Sequence, residues 1–553
     1  MFIISLPSAL ADGAEIFECL IINILYSFII KNSQLLQMNL TIKNNQSVAI
    51  NAIPILEYDI FYDTCVGLCR DMSNHCVAYY AFSYQNKLKF IAGIAIDGKE
   101  EIMLISHEEN PKELRGLMAL SQQITAFHIY EREIHENFGI DFIRHPWLKP
   151  VRYAHDRTDK TKTLQNYPFF EITGEELHEV GVGPIHAGVI EPGHFRFVCN
   201  GEDVLHLEIQ LGYQHRGVEY MYLKKPKLLQ RTVLSECIAG DTVVGHTLAF
   251  VQNIESLQNI IPTRQMHLQR TIALELERMA IHMGDLANLN IGLAYQLASS
   301  VFGVIRTPLI NYFQFWCGNR FAKGLIRVGH NPYPLTKELV DKFKTVLNDV
   351  EMRYTEMANK MFELPSAQSR IEKVGEVSKE QMQQIGAVGM SARITGLKRD
   401  IRTSHPFAFY AEKPIISDTC EGGDVWARAY LRHLEILSVI KYIRELLVEV
   451  DVNDSGYGSM QNGVPVFQQN ADIQPTATKL TPNMFCMSLV EGWRGEISHC
   501  VVTDENGDMA HYKVKDPSVH NWLALGLSLR DNEISDFPIC NKTFNLSYCG
   551  NDL

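Results

Sequence analysis

The sequence predicts an α+β chain of two units: a smaller α/β unit, then a larger one with a strand-rich start, a helical centre and a strand-and-loop end. Three observations predict this. CVAYYAFSY and KLKFIAGIAI are β-rich runs split by a polar turn at Gln85-Asn86-Lys87. From about Lys227 to Leu447, apolar residues recur at three- and four-residue spacing. The C-terminal stretch returns to short strands around an Asn506-Gly507 hairpin signal.

At 553 residues the chain can bury more than one core, and 46% hydrophobic with 21% charged residues marks it as globular. A formal net charge of -13, with no basic stripe, argues against nucleic acid as a partner.

Taken in order, residues 1–37 form an N-terminal extension containing the apolar run Cys19–Ile30. That run is shorter than the roughly 20 residues a bilayer-crossing helix needs. Asp12, Glu15 and Glu18 precede it, with no Lys or Arg, which suits a secretory signal badly. The preferred reading starts the functional chain at Met38; an amphipathic anchor is the alternative.

Residues 38–155 form the first unit. A helix over ILEYDIFYDTCVGLCRDM precedes the two strands, and a second helix is expected from about Pro111 to Asn137, ending at Gly139. Residues 156–177 read as a polar linker. The second unit, 178–553, opens with GVGPIHAGVIEPGHFRFVC and VLHLEIQLGYQHRGVEYM, strands that bend at Gly212. RTIALELERMAIHMGDLANL and WARAYLRHLEILSVIKYIRELLVEV then read as bundle helices.

The 12 cysteines include no C-x-x-C pair, which fits free thiols in a reducing compartment. Cys65, Cys69, His75 and Cys76 match no common zinc spacing, so the cysteines read as small apolar positions.

Several motifs carry a family resemblance. EREIHENFGIDFIRHPWLKPVRY resembles the signature of the small C-type subunit of respiratory complex I. From Gly183 onward G-P-x-H, GYQHRGVE, ELERMAIH, GAVGMSARITGLKRDIR, GDVWAR and WRGEI follow in order. Together they resemble the superfamily that joins nickel–iron hydrogenase large subunits to the D-type subunit of complex I. The fused arrangement is similar to membrane-bound energy-converting hydrogenases of the formate hydrogenlyase type. The resemblance implies a peripheral large subunit on the cytoplasmic face of the plasma membrane. Its partners would be an iron–sulfur small subunit and integral antiporter-like subunits, with electron transfer coupled to ion translocation.

The chain departs from the family where metal is bound. SECIAGDTVVGH resembles the nickel-binding run E-R-x-C-G-x-C-x-x-x-H, but the two cysteine positions fall on Ala239 and Thr242. Near the C-terminus, alignment on Asp552 puts the other two on Ser547 and Gly550. With all four thiolates gone, no nickel–iron centre is expected. The quinone tyrosine of complex I falls on Gly240 and its histidine near Pro192, two residues from His194. No cofactor is therefore expected on this chain, the iron–sulfur cluster belongs to a partner, and quinone is a second candidate substrate.

The resemblance leaves six candidate catalytic residues. Glu191, in IEPGHF, is either a proton relay or an ion-pair partner of Arg196 or another nearby Arg. His186 and His246 serve the site or fix its loops. Asp241 either frames a polar pocket with Thr242 and Ser547 or caps the helix after it. Arg393 and Asp400, with Arg402, form either a charge network that couples redox to proton movement or a scaffold of buried ion pairs. Two further functional readings stand beside the ion-translocating oxidoreductase: a quinone oxidoreductase subunit with a rearranged site, and a non-catalytic connector.

Overall fold

A computed structural model describes residues 40–112, 116–186, 190–453, 460–461, 464–465 and 479–553. The apolar run at Cys19–Ile30 and the proposed start at Met38 lie outside these residues.

The first unit is a four-stranded antiparallel sheet. Its strands are β1 (Leu40–Ile42), β2 (Asn74–Tyr84), β3 (Lys87–Ile96) and β4 (Glu101–Glu109), in the spatial order β1-β4-β3-β2. The β2–β3 turn lies where the sequence puts it, with Gln85 and Asn86 both at positive φ. Helix α1 (Tyr58–Arg70) packs its Phe61 and Cys65 face on the sheet. Burial pushes the Cys65 thiol well above its usual range, as expected of an apolar core position.

The expected helix over Pro111–Asn137 is much shorter. Leu117–Met118 pairs in parallel with Phe142–Ile143, and two 3-10 turns follow. Only α2 (His128–Phe138) is α-helical, and it ends on Gly139 in the left-handed region. Glu131 of α2 turns back to accept the Leu120 and Ser121 amides and the Ser121 hydroxyl. A tertiary carboxylate thus satisfies amides that a longer helix would have satisfied internally.

The second unit opens with the antiparallel strands β5 (Leu177–Val182), β6 (His194–Asn200) and β7 (Asp203–Gln210). After α3 (Val218–Lys224) and α4 (Leu228–Ser235) comes the helical centre: α5 (Val243–Leu257), α6 (Arg264–Gly292), α7 (Gln296–Cys317), α8 (Lys337–Phe362) and α9 (Val425–Leu446). Helix α6 is buried nearly all round, so its polar residues need internal partners. Arg270, for example, makes a two-armed pair with Glu255 of α5, at 2.7 and 2.9 Å.

The chain closes with strands β8 (Met484–Glu491), β9 (Glu496–Thr503) and β10 (Met509–Lys515), then helices α10 (Ser518–Ser528), α11 (Phe537–Phe544) and α12 (Tyr548–Asp552). Val48–Ala49 of the first unit adds to the edge of β8. Beside it, the Asn44 side chain both donates to Leu489 O and accepts from Leu489 N, so the two units share backbone pairing.

Helix α12 is tied down by the GYQHRGVE segment. Asp552 accepts the Gly212 and Gln214 amides at 2.9 Å each, and Arg216 N donates to Leu553 O. Gly212, at φ +97°, sits where a Cβ would meet Val151 O at 2.9 Å, so this bend accepts only glycine. Gly389 and Gly495 press together in the same way: a Cβ on Gly389 would stand 2.0 Å from Gly495 Cα. That contact brings GAVGMSAR against WRGEI.

Candidate functional site

Loop 235–242, the β8–β9 turn and α12 meet beside the N-terminus of α5. Ala239, Thr242 and Ser547 are buried. His246 N donates to Thr242 O, and His246 Nε2 lies 3.1 Å from Asp516 Oδ2. Asp516 in turn packs against Gly550, where an added Cβ would stand 2.5 Å from Asp516 Oδ2 and 2.8 Å from Ser547 Oγ. One former ligand position, Gly550, is thus filled up to the Asp516 carboxylate.

The remaining space is taken by Arg494. Its guanidinium grips Asp241 with two bonds, Nη1 to Oδ1 at 2.7 Å and Nη2 to Oδ2 at 2.6 Å, and Nη1 also donates to Thr242 Oγ1 at 3.1 Å. Trp493 Nε1 donates to Asp241 O. These residues do not fit a nickel–iron centre. They offer no thiolate at the four positions and no room for a side chain at 550.

The geometry corrects both readings of Asp241. It does not cap α5, because the N-cap Thr242 makes no side-chain cap bond and the first amides are taken by Glu277 of α6. Glu277 Oε1 accepts Val244 N at 2.8 Å and Oε2 accepts Gly245 N at 3.2 Å. Burial pushes the Glu277 carboxyl up to about 8, and the Asp241 charge adds to the rise. Asp241 and Ser547 do not frame an open pocket either. Asp241 is spent on Arg494, and Ser547 caps α12 by accepting Gly550 N at 2.9 Å.

Glu191 is exposed rather than set against apolar walls, and Arg196 pairs with Glu179 instead. The Glu191 carboxylate accepts Cys549 N at 3.0 Å, and Cys549 Sγ is 3.6 Å from its other oxygen. Burial, followed by the Glu191 charge, pushes the Cys549 thiol up to about 11. His186, half-buried, donates from Nε2 to Gly193 O across 3.0 Å and closes its own loop. His194, at the start of β6, packs against the Phe169 ring, with centroids 5.1 Å apart and planes inclined by 43°.

His246 belongs to a buried polar chain that the sequence did not reveal. From Asp516 Oδ2 it runs through His246 to His499 Nε2 at 3.1 Å, and from His499 Nδ1 to the Tyr512 hydroxyl at 2.7 Å. Burial holds His499 far below the usual imidazole range, so that ring is neutral. Asp516, which burial alone would push up, is held below the usual carboxylate range by the His246 hydrogen bond. Such a chain can pass a proton by exchange of tautomers.

Arg393, Asp400 and Arg402 do converge, inside a buried network between α6, α9 and the end of β8. Arg402 Nη2 meets Asp400 Oδ2 at 2.7 Å and Glu435 Oε1 at 3.0 Å, and its Nη1 meets Glu275 Oε1 at 3.1 Å. Arg393 Nη1 meets Glu435 at 2.7 Å, and Arg278 Nε meets Glu275 at 3.1 Å. His282 Nε2 completes Glu435 at 2.7 Å. Sequence reasoning missed Glu435 and Glu491. Glu275, Arg278 and His282 gave a readable signal in ELERMAIH: charges three and seven apart on a helix otherwise rich in apolar residues.

Known proteins share much of this architecture. Residues 299–552 match the family described as respiratory-chain NADH dehydrogenase, 49 Kd subunit. Hydrogenase-4 component G of Escherichia coli K12 is 22% identical over 505 residues, covering 87% of this chain and 82% of that one. The carbon monoxide-induced hydrogenase of Rhodospirillum rubrum is 27% identical over 364 residues, covering 66% and 95%. Among solved structures, a chain of the membrane-bound sulfane sulfur reductase, an archaeal respiratory membrane complex, shares the fold at TM-score 0.61. It is 18% identical, and the match spans 69% of this chain and all of that one.

Proposed function

We propose, from the match of residues 299–552 to the family described as respiratory-chain NADH dehydrogenase, 49 Kd subunit, that the chain is the peripheral large subunit of a membrane-bound, complex I-like oxidoreductase that works without a nickel–iron centre. In this reading an iron–sulfur subunit delivers electrons near the Arg494 region. Integral antiporter-like subunits then translocate ions across the membrane in response, with this chain on its cytoplasmic face. No helix among the described residues is long and apolar enough to cross a membrane, which agrees with attachment through partners.

The observation that carries the reading is the remodelled loop. An Arg494–Asp241 ion pair and the Asp516–His246–His499–Tyr512 chain occupy the region around the former ligand positions. Arg494 and Asp241 place a fixed, oriented ion pair there, whose donors and acceptors can orient a polar substrate beside it. The hydrogen-bonded chain from Asp516 through His246 and His499 to Tyr512 is a route along which a proton can be relayed there. Glu191, exposed against Cys549, stands at the solvent side and can exchange protons with water.

A connector role is the second reading, favoured by how fully the loop's polar groups are paired among themselves. One experiment tests both. The assembled complex is purified through a tag on this chain, its subunits are identified by mass spectrometry, nickel is measured, and donor oxidation is compared with that of Asp241→Asn. Co-purifying iron–sulfur and antiporter-like subunits with sub-stoichiometric nickel support the proposal. Stoichiometric nickel overturns it, and full activity in Asp241→Asn turns the choice to the connector.

A further inference from the structure

Glu491 stands apart within the buried network. Four carboxylates, Glu275, Asp400, Glu435 and Glu491, face three guanidiniums, Arg278, Arg393 and Arg402, and every one of these side chains is almost wholly buried. With all of them ionised the cluster would carry one uncompensated negative charge, which an interior of low polarisability penalises heavily.

Hydrogen bonding shows where a proton relieves that charge. Glu275 is held by Arg278, Arg402 and the Tyr410 hydroxyl. Asp400 is held by Arg402, and Ser417 Oγ donates to it at 2.8 Å. Glu435 is held by Arg393, Arg402 and His282. Among the described residues Glu491 accepts only the Ile401 amide, at 3.1 Å to Oε2. Its Oε1 has no hydrogen-bond partner among the described residues, and Arg393 Nη2 stands 3.8 Å from it.

His282 is the other group able to carry the charge. It is fully buried between Arg278, Arg432 and Glu435; burial first, and the two guanidiniums after it, hold the imidazole below its usual range against the opposing pull of Glu435. Asp418 lies at the rim of the cluster, where Ser438 bonds to it.

We propose that this cluster is a buried proton-binding site whose single exchangeable proton is carried by the Glu491 carboxyl. Glu491 closes β8 two residues before Trp493, and Arg278 reaches both sides of that junction by donating to Glu491 O at 2.8 Å and Gly492 O at 3.2 Å. Gain or loss of the proton therefore changes the charge of the network one strand-end away from the Asp241–Arg494 pair, with water as the ultimate donor and acceptor. Burial, and next the Asp400 charge, push the Glu491 carboxyl up to about 8, which makes the exchange accessible near neutral pH. The inference concerns the chain alone and stands whether or not the oxidoreductase reading does.

Infrared difference spectroscopy of the full chain between pH about 6 and about 9.5 reads the protonated-carboxyl stretch directly. Glu131 and Glu277 also carry raised carboxyls at about 8, so Glu131→Gln and Glu277→Gln label their own share of the signal. The expected result is that Glu491→Gln removes a further share that both other variants retain. An unchanged signal in Glu491→Gln overturns the proposal.

Thermal unfolding gives an independent reading. The folded carboxyl titrates above its unfolded value, so its contribution to stability is fully present below pH about 4.5 and is lost as pH rises through about 8. Glu491→Gln should match the wild type at pH about 5 and lose the downward slope between there and about 8. Because a neutral amide replaces a neutral acid, a Glu491→Gln chain that fails to fold while Glu491→Asp folds also overturns the proposal.

Discussion

Replacing Glu435 with Gln is the sharpest test of the buried network as a source of stability. The side chain is 1% exposed and sits 2.7 Å from Arg393, 3.0 Å from Arg402 and 2.7 Å from His282. Gln keeps the shape, removes the charge, and turns one oxygen into a donor facing other donors. Removing one partner from a buried ion pair costs about 3–5 kcal/mol. Asp400 and Glu275 still hold Arg402, and Glu491 can ionise to restore balance, which points to the lower end, about 3 kcal/mol. At roughly 2–4 °C per kcal/mol for a large domain, the unfolding midpoint should fall by about 6–12 °C.

The pH dependence has a definite sign. Burial pushes the Glu435 carboxyl up, but Arg393 and Arg278 more than reverse this and hold it well below the usual range. Its contribution is therefore present above pH about 4.5 and fades as pH falls further. Denaturant unfolding followed by circular dichroism at several pH values reads this out. A loss under about 1 kcal/mol at pH 7, or one that grows on acidification, would refute the reasoning.

Two other outcomes are expected. Gly550→Cys, made to restore a ligand, should destabilise the chain and leave nickel sub-stoichiometric, because its Cβ meets Asp516 Oδ2 at 2.5 Å; metal analysis with a melting curve checks this, and tight nickel binding would contradict it. Glu191→Gln should leave assembly intact, since the side chain is exposed, while turnover of the complex falls on the order of 10²-fold if the carboxyl passes protons; unchanged turnover would mean that it only anchors α12 through Cys549.

Sequence alone determined the features that local chemistry controls. Alternating and continuous apolar runs fixed β2 and β3, with Asn86 able to take the left-handed turn between them. Three- and four-residue spacing fixed α6 and α9, and counting cysteines showed that no four-thiolate site exists at the former ligand positions. Arg393, Asp400 and Arg402 were legible as a group because they lie within one short segment.

Tertiary structure decided which groups meet across long separations. The partner of Asp241 is Arg494, on a turn that the Gly389–Gly495 contact positions. The cap of α5 is Glu277, a residue from the next helix, so a local search for Ser, Thr, Asp or Asn could not find it. The Pro111–Asn137 helix failed for the same kind of reason: Leu117 and Ala119 amides gain strand partners at Asp141 and Ile143, and Glu131 takes those of Leu120 and Ser121. Helix propensity is worth a few tenths of a kcal/mol per residue, whereas an unmet buried amide costs about 1–3 kcal/mol, so the fold's hydrogen bonding overrode the local preference.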